Sequence, residues 1–249
     1  MNKLRSSPSR SRQAGFTLVE MLVAITIGLV VVFGMTATFV NLKNTFKSQD
    51  SLGQLQDNER LALTFLTTAV NEAGYYPNPM AGSTITNTSL TDTWSGNMPA
   101  AVGIFGTADG GSATNTESLQ TAYASTGGDG LISCIGTTYA GAGTVTVRNV
   151  FYVDPTTNSL MCKVYVNSLK TDAMANSGTA TPLISGVKSM SVAYGLVSTG
   201  SQVNLYKTPD KLVAADWPNV KAVRITLYFV NPFDASSPIT RTHTINLMN

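Results

Sequence analysis

The sequence predicts an α+β protein in which one long N-terminal helix packs on an antiparallel β-sheet domain. Three observations predict it. No proline falls between Phe16 and Tyr76, so a helix can run unbroken through that stretch. Its apolar residues form a solid block and then a stripe of helical period. From Gly130 onward, short runs rich in Val, Ile, Thr and Tyr alternate with turn residues, and helix first with strands after is an α+β order.

Residues 1–15 form a polar leader with no apolar period. It carries Lys3, Arg5, Arg10 and Arg12 and no acid. The whole chain has 16 basic and 14 acidic residues, a formal net charge of +2 that becomes −2 without the leader. The remainder therefore has no cationic excess to attract nucleic acid or anionic lipid.

Residues 16–40 follow as the first half of the helix. Met21 to Val40 are uncharged and mostly apolar, and at about 1.5 Å per residue they cover roughly 30 Å, the thickness of a bilayer core. The basic residues ahead of this span place the N-terminus in the cytoplasm and the C-terminal domain on the far side. A cleaved secretory signal would have a shorter apolar core, of about 7 to 15 residues, ending in a small-residue site. Glu20 stands near the start of the span, where an unpaired carboxylate costs on the order of a few kcal/mol. If the chain were cut after Gly15, Phe16 would carry an ammonium group four residues before Glu20, on the same helix face. That amine could pair with Glu20 of its own chain or of a neighbour. The plainer alternative is an interfacial carboxylate in a signal anchor.

Residues 41–74 make the amphipathic half. Leu55, Glu59, Ala62, Leu66, Ala69 and Ala73 fall on one stripe, with Leu63 and Val70 beside it, while Asp50, Asp57, Asn58, Arg60 and Glu72 supply polar faces. Gly74 and then Pro77 stop the helix, which would run on the order of 55 residues, or ~85 Å. Gly28, Gly34 and Gly53 are the places where it could soften.

Residues 75–249 form the globular domain. Residues 77–128 read as loop-rich, with short strands near 101–105 and 118–124. The strands expected after them are Leu131–Ile135, Thr144–Val153, Leu160–Val166, Val187–Val197, Val203–Tyr206, Val220–Val230 and Ile239–Leu247. Asp154-Pro155-Thr156-Thr157-Asn158-Ser159 is turn material that makes the second and third of these a hairpin. Val223, Ile225, Leu227 and Phe229 share one strand face. Cys134 and Cys162 are the only cysteines. Beyond the membrane they are expected as one disulfide, tying the hairpin to the strand before it, with two buried thiols as the alternative.

Little in the domain points to catalysis, a metal or a cofactor. His243 is the only histidine and is expected in a surface or packing role. Ser133 has no evident base, and there is no Gly-x-Ser-x-Gly elbow or His-Glu-x-x-His helix. Gly110-Gly111 and Gly127-Gly128 lack the setting of a phosphate loop. Asp109, Ser112, Asn115 and Glu117 offer oxygens to calcium without EF-hand spacing, and Asp129 reads as a turn former. The basic and aromatic groupings are Lys207 and Lys211 with Tyr206, and Lys221 and Arg224 near Trp217. Asp210 and Asp216 dilute them, so no nucleic acid is expected as a partner.

Gly15-Phe16-Thr17-Leu18-Val19-Glu20, at the edge of a span with basic residues ahead, resembles the type IV pilin family residue for residue. The resemblance implies that a prepilin peptidase cuts between Gly15 and Phe16 and methylates the Phe16 amine, and that Glu20 meets the amine of an adjacent subunit during assembly. Gly130 to Cys134, Leu160-Met161-Cys162, Leu183 to Val187, Tyr194-Gly195, and Trp217 with Val223-Arg224-Ile225 look like the PilW family of minor type IV pilins. A pilin-like fold is implied, as are partners among minor and major pilins and the inner-membrane assembly platform, and a stay in the membrane before the filament. The last two segments also resemble a minor pseudopilin of type II secretion. A signal-anchored periplasmic enzyme or binding protein is the alternative from another class.

Overall fold

A computed structural model of the chain describes residues 15–77, 98–99, 102–108, 117–166, 178–197, 200, 202–234 and 236–247. The chain divides into two compact units, residues 1–50 and 51–249. Helix α1 (Leu18–Glu72) is unbroken through Gly28, Gly34 and Gly53, and its residues up to 50 belong to the first unit.

The second unit holds the rest of α1 and two antiparallel sheets. The first sheet has β1 (Ile104–Thr107), β2 (Ser118–Ser125), β3 (Val145–Asp154), β4 (Ser159–Val166) and β5 (Thr181–Ser185), in the order β1-β2-β3-β4-β5. The second has β6 (Val187–Leu196), β7 (Leu205–Lys207), β8 (Val220–Phe229) and β9 (Ile239–Asn246), in the order β7-β6-β8-β9. Gly186 alone separates β5 from β6. Its φ of +80° is open to glycine without strain, so one residue turns the chain out of the first sheet into the second.

The expected stripe of α1 is the buried one. Leu55, Ala62, Leu66, Ala69, Val70 and Ala73 pack into a single core shared with both sheets, and Glu59 is buried on the same stripe. In β8, Val223, Ile225, Leu227 and Phe229 are buried on one face, as their period of two requires. The helix ends at Gly74, whose φ is +84° and whose N–H donates to Ala122 O at 2.9 Å, pinning the helix end to β2. Gly103 lies against this corner. A Cβ there would sit 2.3 Å from Gly74 N, so only glycine fits.

Tyr194 and Glu117 join the sheets across the core. Tyr194 Oη donates to Phe105 O at 3.2 Å, and the Trp217 ring packs tilted against Phe105 and edge-on to Tyr194, with ring centres 4.6 and 4.8 Å apart. The Glu117 carboxylate accepts the N–H of Val192 and the hydroxyl of Ser191. The expected hairpin is β3 and β4, with Asp154 accepting from Thr156 N and Thr157 Oγ1 and with Asn158 at φ +48°.

Several expectations are corrected. Leu131–Ile135 is not a strand: one bridge between Ile132 and Thr138 closes a tight turn, with Ser133 N donating to Thr137 O and Gly136 at φ +76°. Two closely spaced glycines, Gly130 and Gly136, hold this run to a turn. The strand expected at 101–105 begins at Ile104 instead, because Gly103 is committed to the helix corner. The short strand expected at 203–206 runs from Leu205 to Lys207. β5 is not among the expected strands; it carries Pro182, which an edge position tolerates. The antiparallel strands divide into two sheets. The leader up to residue 14, and Asp109, Gly110, Gly111, Ser112 and Asn115, lie outside the described residues.

Candidate functional site at the N-terminal end of the helix

Gly15, Phe16 and Thr17 are not helical, and the helix starts at Leu18. The cause is a cap. Thr17 Oγ1 accepts the backbone N–H of Glu20 at 3.3 Å, and Thr17 O accepts the N–H of Met21 at 3.2 Å. Threonine at the N-cap with glutamate three residues on is a capping-box spacing, and the Glu20 charge suits the positive end of the helix dipole. Thr17 is the residue that sequence reasoning missed, although Thr17-x-x-Glu20 was there to be read.

The cap fixes what this end can do. The Gly15–Phe16 peptide bond lies in non-helical chain just ahead of the first helical turn, with no heavy atom within 4 Å of a Cβ built on Gly15. Phe16 is 83% exposed and Glu20 is also exposed. Proteolysis needs such an accessible, unstructured bond. Residues Gly15, Phe16 and Glu20 are brought together as local sequence neighbours, without a tertiary contact.

Beyond the cap the helix is apolar all round. From Leu18 to Phe46 its large hydrophobic side chains are exposed within their own unit, and among the described residues this is the one helix long and apolar enough to cross a membrane. Thr26, Thr36 and Thr38 donate their hydroxyls to Val23 O, Val32 O and Gly34 O, at 2.8 to 3.0 Å. Each hydroxyl is thus satisfied by its own helix, which makes the surface compatible with lipid or with other helices.

The other residues singled out in the sequence are distributed elsewhere. Cys134 and Cys162 are bonded, with Cα atoms 6.4 Å apart, so the disulfide joins β4 to the tight turn after Gly130 rather than to a strand. Glu117 is held by β6, away from a cation-binding geometry. Asp129 accepts from Ser125 Oγ, Thr126 N and Leu131 N, as a turn former does. Ser133 Oγ bonds Thr137 Oγ1 at 2.8 Å. His243 is exposed on β9 opposite Ile225. Lys207 pairs with Asp216 at 3.0 Å, Arg224 lies 3.8 Å over the Tyr206 ring, and Trp217 is buried, so the basic and aromatic groups are engaged with one another or with the core. Lys211 and Asp210 share a short 3-10 turn at Pro209–Lys211, and Lys221 is exposed on β8. No group of three or more potential metal ligands occurs among the described residues.

Two comparisons bear on this arrangement. Residues 10–36 match the prokaryotic N-terminal methylation motif, a span that contains Gly15, Phe16, Thr17 and Glu20. Residues 145–248 match the family described as type IV pilus-assembly protein W, a span that runs from β3 to the end of β9. No curated protein matches the chain.

Proposed function

We propose that the chain, which matches the type IV pilus-assembly protein W family over residues 145–248 and the N-terminal methylation motif over residues 10–36, is a minor pilin that primes and joins assembly of a type IV pilus at the inner membrane. The observation that carries the proposal is the Thr17 cap, which ends the helix one residue after the Gly15–Phe16 bond and leaves that bond in open chain.

In this reading residues 1–15 are removed by a prepilin peptidase and the new Phe16 amine is methylated. Residues 16–40 hold the subunit in the membrane and later enter the filament core. Residues 41–74 carry the helix onto the strand-rich domain of residues 75–249, which lies in the periplasm and then on the filament surface. The role is structural, not enzymatic. Its partners are other minor pilins, the major pilin and the assembly platform.

Glu20 and the Phe16 amine supply the driving contact. In lipid an unpaired carboxylate is costly, so a subunit whose Glu20 meets the amine of a neighbour gains by joining it. The test measures the N-terminal mass of the protein from cells with and without the peptidase, and counts pili in Glu20→Ala cells. A chain starting at methylated Phe16 only in peptidase-positive cells, with piliation reduced in Glu20→Ala, is expected. An intact leader in both strains, or normal piliation in the variant, would overturn the proposal.

A further inference from the structure

A cleft of about 340 Å³ lies between α1 and the edge strand β9, lined by Arg60, Leu63, Thr64, Thr67, Thr68 and His243. Along α1, Arg60, Thr64, Thr67 and Thr68 follow at spacings of three and four and so share one helix face. On β9, His243 stands two residues past Arg241, and alternate residues of a strand share a face. Arg241 reaches Glu59 on α1, so His243 is turned toward the helix as well. Ile225, opposite His243 in register, is buried, whereas Thr242 turns the other way and bonds Thr226.

Two groups able to bind an anion thus meet at the cleft from two elements. Arg60 and His243 are both exposed, so solutes reach them. Neither side chain has an ion pair or hydrogen bond among the described residues, unlike Arg241, which is committed to Glu59, and Arg224, which lies over Tyr206. The hydroxyls of Thr67 and Thr68 likewise have no partner among the described residues, while that of Thr64 donates to Arg60 O at 2.8 Å. No acid lines the cleft. In sequence the nearest carboxylates are Asp57, which lies outside the lining, and Glu59, which Arg241 neutralises.

A guanidinium presents a planar fork of N–H donors that matches two oxygens of a phosphate, and an imidazole has at least one N–H to donate in either charge state. Donors arriving from the helix and from the strand suit a tetrahedral oxyanion, whose oxygens point in several directions, better than a planar carboxylate. The volume falls within the roughly 300 to 1,000 Å³ of small-molecule sites, which leaves room for an organic group beside the anion. We propose that this cleft binds a phosphate group, free or as the monoester of a small molecule. Arg60 takes two of its oxygens, His243 donates from the strand side, Thr67 and Thr68 donate along the helix, and the carbon part of an ester lies on Leu63.

The test uses the full chain in maltoside micelles, which hold no phosphate. His243 is the only histidine, so its ring gives a single resonance to follow. At constant pH and ionic strength, ethyl phosphate should shift that resonance with saturation in the millimolar range, and acetate should need at least about tenfold more. Arg60→Gln should weaken ethyl phosphate about tenfold, and Arg60→Lys should weaken it less, because the charge stays while the fork is lost. Lys211→Gln, outside the cleft's lining, should leave binding unchanged. Inorganic phosphate tells the two sources apart: binding as tight as ethyl phosphate or tighter assigns the free ion, and weaker binding assigns an ester seated on Leu63. No saturable shift with either phosphate, acetate as effective as ethyl phosphate, or an Arg60→Gln chain that binds as well as the natural one would overturn the proposal. The acetate comparison uses the natural chain alone, so a variant that fails to fold leaves the test decisive.

Discussion

Arg241 Nε lies 2.7 Å from Glu59 Oε2, a bond that ties the edge strand β9 to α1 across 182 positions of sequence. Glu59 is nearly buried in the apolar stripe of the helix, while half of the Arg241 side chain faces solvent. The glutamate is the member that depends on the pair. Arg241→Met should destabilise the domain by about 1 to 2 kcal/mol in urea unfolding, because it strands a desolvated carboxylate. Adding Glu59→Leu to that variant should recover most of the loss, because the site then becomes apolar throughout.

The Thr17 cap makes its own prediction. Thr17→Val removes the acceptor of the Glu20 N–H and should cost the first helical turn about 1 kcal/mol, whereas Thr17→Ser should cost little. Hydrogen exchange at residues 18 to 21 in lipid nanodiscs reads this directly. Faster exchange is expected in the valine variant alone.

The disulfide closes a loop across 28 positions, worth roughly 3 to 4 kcal/mol in the chain-entropy model. Reduction, or Cys134→Ser with Cys162→Ser, should lower the denaturation midpoint of the domain. The turn after Gly130 should be the first part to lose exchange protection, because besides the disulfide it is held by one bridge, the Ser133–Thr137 bonds and the bond from Cys134 N–H to Asn149 Oδ1.

Acid should act on two kinds of carboxyl with opposite sign. Hydrogen bonds from Lys207 and Val213 N hold Asp216 below its usual range, those from Thr156 and Thr157 do the same for Asp154, and Ser236 does so for Asp234. Their stabilisation is present above the unfolded value of about 3.9 and is lost as pH falls through the lower folded values. Glu72 is raised by burial, so its contribution is full below the unfolded value of about 4.3 and is lost as pH rises through the folded one. Glu72→Gln should thus be more stable than the natural chain at neutral pH and no more stable below about pH 4. Urea midpoints at the two pH values test the crossover.

Local pattern carried most of the fold into view. The stripe from Leu55 to Ala73, the stop at Gly74 and the alternation of Val223 to Phe229 each follow from a short-range period or a single backbone preference, and each reappears in the structure. The same holds at the candidate site, where Gly15, Phe16 and Glu20 are neighbours along one stretch. What escaped notice there was Thr17, a capping residue whose spacing from Glu20 is equally local.

The sequence by itself determined the long helix, its apolar and amphipathic halves, the strand-rich domain and the two cysteines available to pair, because those depend on residue type and on spacing within a few positions. Tertiary structure alone decided that the strands part into two sheets at Gly186, that Glu59 finds Arg241, and that the Cys134 run bends into a turn. Those are contacts between residues far apart in the chain, and they arise only when packing of one core settles which distant surfaces meet.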